Sequence, residues 1–187
     1  MPLLLCDRDG VINLDSEHYI KSPAEFLPIP ASLEALARFS QAGWKVALVT
    51  NQSGLARGLF SLAALHAIHT KLHQLLHGLG GRVDAIFFCP HGPDATCNCR
   101  KPAPGLMQEA LGRFGVRANE ALVVGDSLRD LEAAARAKIA PHLVRTGNGL
   151  ETEQNALAGS KPLPAGTQVH NDLMAVADAV LGRVGRH

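Results

Sequence analysis

Short apolar runs alternate along the chain with stretches whose apolar residues recur at helical spacing. That alternation predicts an α/β fold: a doubly wound, Rossmann-like, mostly parallel sheet covered by crossover helices. Leu3–Cys6 reads as a buried strand ended by Asp7-Arg8-Asp9-Gly10, and Trp44–Val49 as another ended by Thr50-Asn51-Gln52-Ser53-Gly54. Val83–Phe88, Ala121–Val124 and His142–Val144 read as three more. Helices are predicted over Ala31–Ala42, from a Ser61 cap to about His77, and over Pro104–Phe114, Ser127–Lys138 and Asp172–Leu181. Residues 146–167, rich in Gly, Pro and Ser, read as a loop, so 146–187 is expected to be a C-terminal loop and helix. No repeat or linker interrupts the pattern, and residues 1–187 are expected to form one domain.

The polar clusters fall at telling places. Asp7–Asp9, Thr50–Ser53 and Asp126–Asp130 each follow a strand, and Arg100–Lys101 follows one after an intervening loop. Parallel strands share one carboxyl edge, so the four clusters converge on one crevice. The stretch from Asp9 to Thr50 is largely filled by a loop and one helix. No separate cap domain fits there, and the site is expected to be open to a hydrophilic substrate.

Composition narrows the partners. The 187 residues hold 18 Lys plus Arg against 17 Asp plus Glu, a net charge of +1. Nucleic acid or an anionic membrane would favour a basic surface, so neither is expected as a partner. No apolar run approaches the ~20 residues of a membrane span, and the N-terminus lacks the basic region of a signal peptide. A cytoplasmic monomer is the expectation.

Three of the four cysteines crowd into one loop, as Cys89-Pro-His91 and Cys97-Asn-Cys99. Three thiolates and an imidazole are the ligand set of a closed, structural zinc site, which would staple residues 89–101 and position Arg100 and Lys101. Free buried thiols and a redox pair are the alternatives. Cys6 reads as a small core residue. His66, His69, His73 and His77 are expected on a partly solvated face beside Leu62, Leu65, Ile68, Leu72 and Leu75. Arg183–His187 reads as a frayed helix end.

The acidic clusters carry the chemistry. Asp7 and Asp9, joined by Asp126, cannot all stay ionised cheaply without a cation, and hard oxygen ligands favour Mg²⁺. Lys101 supplies a point charge, and Thr50 and Asn51 supply neutral donors, for phosphoryl oxygens. In order, Asp7-x-Asp9-Gly10-Val11, Thr50-Asn51, Lys101-Pro102 and Gly125-Asp126-x-x-x-Asp130 resemble the four motifs of the haloacid dehalogenase superfamily. The runs Asp7–Asn13, Thr50–Gly58 and Cys99–Pro102 look like its histidinol-phosphatase-like branch, which takes in histidinol-phosphate and heptose-bisphosphate phosphatases.

The resemblance implies a Mg²⁺-dependent phosphatase with a structural zinc and a small phosphosugar substrate, histidinol phosphate being the alternative. It implies Asp7 as nucleophile and Asp9 as general acid and base. Asp7, the carbonyl of Asp9, and Asp126 would hold Mg²⁺; Cys89, His91, Cys97 and Cys99 would hold zinc. Thr50 and Lys101 would hold the transferring phosphoryl group, and Asn51, Gln52 and Ser53 would also bind the substrate. Arg100 would meet a second phosphate or a hydroxyl, and Asp15, Ser16, Glu17 and His18 would form a substrate loop. Asn148 and Ser127 stand where relatives carry lysine, which bears on phosphate recognition. A zinc-dependent binding module is the reading of another class, and it leaves the three aspartates without work.

Overall fold

The computed structural model describes residues 1–182, so the expectation for Arg183–His187 lies outside the described residues. Six parallel strands form one sheet: β1 (Leu3–Cys6), β2 (Lys45–Asn51), β3 (Ala85–Cys89), β4 (Ala121–Gly125), β5 (Ala140–Val144) and β6 (Gln168–His170). Their order is β3-β2-β1-β4-β5-β6, with β1 paired to β2 on one side and β4 on the other. The chain therefore winds outward from β1 and then restarts at β4, which makes the β1–β4 junction the switch point where such sheets open a crevice.

Alternate residues of each strand go to opposite faces. Leu4 and Cys6 join Val46, Leu48, Leu122 and Val124 beneath α1 (Pro30–Gln41), α2 (Leu62–Gly78) and α6 (Leu173–Leu181). Leu3, Leu5, Ala47, Val49 and Val123 pack on the other face against α3 (Gly105–Phe114) and α4 (Leu128–Arg136). Burial on both faces explains why these strands read as continuous apolar runs. Ser61 caps α2 as predicted, its hydroxyl accepting from the Ala64 amide at 3.1 Å.

Three expectations are corrected. Residues 146–167 are not all loop: they contain α5 (Gly149–Leu157), and the short strand β6 follows. Helix α5 buries only Gly149 and has no side-chain cap, so it lacks the apolar stripe that announces a helix. Strand β6 is three residues long and only partly buried, too short to show alternation. On α2, His66, His73 and His77 are exposed, but His69 is buried, while Leu62 is exposed and Leu76 takes its place in the core.

No cap domain interrupts the β1–β2 connection, where Asn13 makes isolated bridges to Asp9 and Pro28 before α1 begins. Fully buried Phe39 on α1 meets Trp44 edge-on, with ring centroids 5.2 Å apart. Phe39→Ala should cost about 3–5 kcal/mol of stability. Denaturant titration followed by the emission of Trp44, the chain's one tryptophan, checks this directly.

Candidate active site

The crevice opens at the carboxyl ends of β1, β2 and β4, and Asp7, Asp9, Thr50, Gln52, Ser53, Arg100, Lys101 and Asp126 all line it. The Asp7 amide continues the β1 ladder by donating to Val124 at 2.9 Å, which holds the Asp7 side chain at the strand tip. Its Oδ1 accepts from the Arg8 amide at 2.7 Å and pairs with Lys101 Nζ at 2.9 Å. Gly10 follows with φ +80, and a Cβ there would collide with Asp126 Oδ2. Only glycine lets these two segments approach.

Asp9 turns away from Asp7. Its carboxylate accepts from Arg8 Nε at 3.0 Å, Arg8 Nη2 at 2.8 and 2.9 Å, Asn13 Nδ2 at 2.9 Å and Gln52 Nε2 at 3.1 Å. Gln52 Nε2 also donates to Thr50 Oγ1 at 2.9 Å, which links the second cluster to the first. Asn51 is engaged at both ends of its amide: Nδ2 donates to the Lys101 carbonyl and Oδ1 accepts from the Lys101 amide, each at 3.1 Å. It thus clips the end of the cysteine loop to the tip of β2.

Lys101 is buried, and its ammonium reaches three acceptors: Asp7 at 2.9 Å, Asp130 at 2.6 Å and the Val49 carbonyl at 2.7 Å. Asp130 also accepts from the Ser127 amide and hydroxyl at 3.1 and 2.6 Å, closing a capping box on α4. Burial works against its ionisation, yet Lys101 and Ser127 hold its carboxyl below the ordinary value. Asp126 accepts from Asn148, at 2.8 Å from the amide and 3.0 Å from Nδ2. The residue that stands in place of a family lysine therefore touches a key carboxylate directly.

Charge in the crevice is unbalanced. Desolvation, then Asp130, Asp126 and Asp9, push the Asp7 carboxyl up to about 8 although Lys101 opposes them. Burial and Asp130 push Asp126 up to about 6. Carboxyl oxygens of Asp7, Asp126 and Asp130 lie within 4.8 Å of one another. Oxygen donors so placed, and so short of positive charge, fit a hard divalent cation.

The cysteine loop fits a different metal. Cys89 Sγ lies 3.1 Å from Cys99 Sγ, 3.8 Å from Cys97 Sγ and 3.4 Å from His91 Nδ1, which is 3.2 Å from Cys99. A zinc tetrahedron with bonds of about 2.3 Å to sulfur and 2.0–2.1 Å to nitrogen has edges of roughly that size. Burial and the neighbouring thiols push Cys89 up to about 12, whereas at Cys97 burial is outweighed by hydrogen bonds from the Arg100 backbone and the neighbouring thiols, which bring it down to about 7. Arg100 Nη1 donates to the His91 carbonyl at 3.2 Å, tying loop and crevice together.

Several residues lie in or beside the quoted motifs but had no role assigned to them there. Asp130, Arg8 and Asn148 belong to the site's hydrogen-bond network, and Arg57, Arg129 and Tyr19 line the crevice. Among the described residues Arg57, Arg100 and Arg129 have no carboxylate partner. Asp15 and Ser16 reach the crevice, while Glu17 and His18 line neighbouring hollows instead. The Ser127-x-x-Asp130 spacing of a capping box, and the place of Asp130 in the fourth motif, were the available signals; nothing local marks Arg129.

An aspartate crevice at the switch point of such a sheet defines a hydrolase of the haloacid dehalogenase type. The family description HAD-hydrolase-like matches residues 98–176, and the chain belongs to this superfamily. Its relatives include a D-glycero-beta-D-manno-heptose-1,7-bisphosphate 7-phosphatase of Bordetella bronchiseptica, 54% identical over 97% of this chain and 98% of the relative. One of the same name from Pseudomonas aeruginosa is 52% identical over 96% of this chain and 97% of its own. A crystal structure of the D,D-heptose 1,7-bisphosphate phosphatase from B. bronchiseptica, complexed with magnesium and phosphate, superposes with a TM-score of 0.92. It is 55% identical and covers 97% of this chain and 98% of that one. The chain is a phosphoric monoester hydrolase of this family.

The raised carboxyls fix a pH dependence. A carboxyl whose pKa is higher folded than unfolded stabilises the fold at low pH and loses that contribution as pH rises through the folded value. Without Mg²⁺ the melting temperature should therefore fall between about pH 6.5 and pH 8, across the Asp7 titration; below that range the buried His69 and His142, depressed to about 4, gain stability with rising pH and offset the two carboxyls. Added Mg²⁺ should raise it more at pH 8 than at pH 5, measured by thermal melts of protein that keeps its thiol-bound metal. An equal increment at both values contradicts the assignment.

Proposed function

We propose that the chain hydrolyses the 7-phosphate of D-glycero-D-manno-heptose 1,7-bisphosphate, a step towards ADP-heptose for the lipopolysaccharide core. The observation that carries this reading is the near full-length match to named 7-phosphatases, whose names specify the beta anomer. The crevice supports it chemically. Its rim carries Arg57, Arg100 and Arg129, which suit a second phosphate. Histidinol phosphate has one phosphate and a cationic amine, which such a rim would repel.

The residues divide the work as follows. Asp7 attacks phosphorus and becomes an aspartyl-phosphate, since its Oδ1 takes both protein donors and Oδ2 takes neither. Asp9 protonates the departing 7-oxygen, then takes a proton from the water that opens the aspartyl-phosphate. Thr50 and Lys101 hold the transferring phosphoryl oxygens, and Gln52 keeps Thr50 and Asp9 in register. Asp15, Ser16 and Ser53 are placed for the sugar, and Arg100 for the 1-phosphate. Mg²⁺, held by Asp7, Asp126 and the Asp9 carbonyl, supplies charge neutralisation for the phosphoryl group and its nucleophile.

Cys89, His91, Cys97 and Cys99 would hold a zinc, which would staple the loop and leave the chemistry to the aspartates. Reduced thiols of this kind suit the cytoplasm. A monomer acting on small phosphosugars is the form this reading takes. Among the described residues no helix is long and apolar enough to cross a membrane.

Phosphate release from both anomers of the heptose bisphosphate and from histidinol phosphate tests the substrate. The heptose bisphosphate should win in kcat/KM; preference for histidinol phosphate would overturn the reading. Asp7→Asn should reduce kcat by roughly 10³-fold or more while the fold survives. Cys97→Ser should lower the zinc content and with it kcat, because Arg100 and Lys101 follow the loop directly. Metal analysis beside turnover measurements checks that link.

A further inference from the structure

Asn148 stands at the N-cap of α5, where an asparagine ordinarily folds its side chain back onto the first helical turn. Here it makes no such bond, and its backbone (φ −87, ψ 1) lies outside the extended region of an ordinary cap. The side chain turns instead to two carboxylates, those of Asp126 and Asp15. Helix α5 thus gives up a stabilising contact, and the reaction above assigns nothing to the residue that withholds it.

The backbone sets this up. Gly147 has φ +56, and a Cβ on it would collide with Asp126 Oδ2 and with Gly10 Cα, so the loop passes flush against Asp126. Thr152, one turn into α5, donates its hydroxyl to the Asp126 carbonyl at 3.0 Å. Asn148 then places two donors on one carboxylate oxygen, Asp126 Oδ2: its backbone N–H at 2.8 Å and Nδ2 at 3.0 Å. The other oxygen, Oδ1, accepts from no donor among the described residues and is left for a cation. An asparagine amide carries two hydrogens on Nδ2. Besides Asp126, Nδ2 reaches Asp15 Oδ2 at 3.3 Å, on the β1–α1 connection whose Asp15 and Ser16 line the crevice. One neutral group therefore joins a buried carboxylate of the metal cluster to an exposed carboxylate of the proposed substrate loop. Neutrality matters there, because an ammonium in its place would compete with a divalent cation for Asp126.

We propose that Asn148 is a positioning residue that couples the Mg²⁺ site to the substrate loop: with one amide it turns Asp126 Oδ1 towards the cation and holds Asp15 at the crevice. The inference rests on the reading of Asp126 as a Mg²⁺ ligand and of Asp15 as part of the sugar's surroundings. Groups that orient a metal's ligand from outside change its affinity by an order of magnitude or more. Coupling of this kind is reciprocal, so order that the cation imposes on Asp126 also steadies Asp15, and the reverse.

A double-mutant cycle on the full, zinc-loaded chain tests this, with wild type, Asn148→Leu, Asp15→Ala and the double variant compared. The first readout needs no substrate: the Mg²⁺ dissociation constant, from calorimetric titration of Mg²⁺-free protein. Asn148→Leu removes the amide at similar volume, keeps the backbone N–H, and should raise that constant about tenfold. A value within about twofold of wild type overturns the proposal. By reciprocity Asp15→Ala, outside the metal's ligand set, should raise it about threefold, yet add nothing once Asn148→Leu is present. Effects that multiply in the double variant overturn the coupling. The second readout is turnover of the heptose bisphosphate at saturating Mg²⁺. There each single variant should raise KM about threefold and change kcat less, and the double variant should match the singles. Losses confined to kcat count against positioning. Asp126→Asn is the control: if it leaves the Mg²⁺ constant unmoved, the metal reading fails and the inference falls with it. If the wild type does not turn over heptose bisphosphate, the substrate reading fails alone and the Mg²⁺ cycle still decides the coupling. Should Asn148→Leu melt early, Asn148→Ala, which removes the same donor with less bulk, is judged by the same criteria.

Discussion

The site is organised around one buried ammonium. Lys101 gives up nearly all its hydration, a cost that a cation in the interior recovers only through close, well-aimed acceptors. It finds Asp7 from β1, Asp130 from α4 and the Val49 carbonyl from β2. Burial works against its charge, but Asp130 and Asp7 outweigh that and raise its pKa above the usual lysine value. Three elements remote in sequence are thereby held to a common point. Removing one partner would strand the others as buried charges, so each must arrive together.

The delivery of Lys101 explains the cysteine loop. The thiols and imidazole cluster immediately before it, and Asn51 grips its backbone from the other side. A long loop alone would pay a large entropic cost to hold one side chain at the sheet's edge. A metal held at those four points would remove most of that freedom, and the Asn51 clip to β2 removes more. Chemistry therefore sits beside the thiols and not on them.

Electrostatics in this protein is local. The chain is nearly neutral overall, yet Asp7 and Asp126 carry raised carboxyls in a crevice also lined by three arginines that meet no carboxylate among the described residues. Such an arrangement calls in a small cation at the bottom of the crevice and an anion at its rim. Asp9 stands apart from the cation cluster because Arg8, Asn13 and Gln52 hold it elsewhere. Two carboxylates of one motif therefore meet different surroundings, which suits a nucleophile and an acid working in turn.

Much of this was legible along the chain. Strands buried on both faces appear as unbroken apolar runs, and side chains at strand ends in a parallel sheet must share an edge, so Asp7, Thr50 and Asp126 could be brought together before any coordinates. Thiol spacing announced the clustering of Cys89, His91, Cys97 and Cys99 for a similarly local reason. Other features were invisible because they depend on direction and on distant partners. Helix α5 is too exposed and β6 too short to leave a periodic trace. Asn148 reads as a departure from a pattern until its contact with Asp126 is seen. His69 repeats the spacing of its exposed companions, and only packing decides that it alone turns inward. The sequence by itself determined the α/β class and the chemical groups at each strand end, because periodicity and residue type are local properties. The tertiary structure alone decided which carboxylate meets Lys101, which meets Arg8 and which histidine of α2 is buried, because those choices belong to side-chain geometry across segments far apart in the chain.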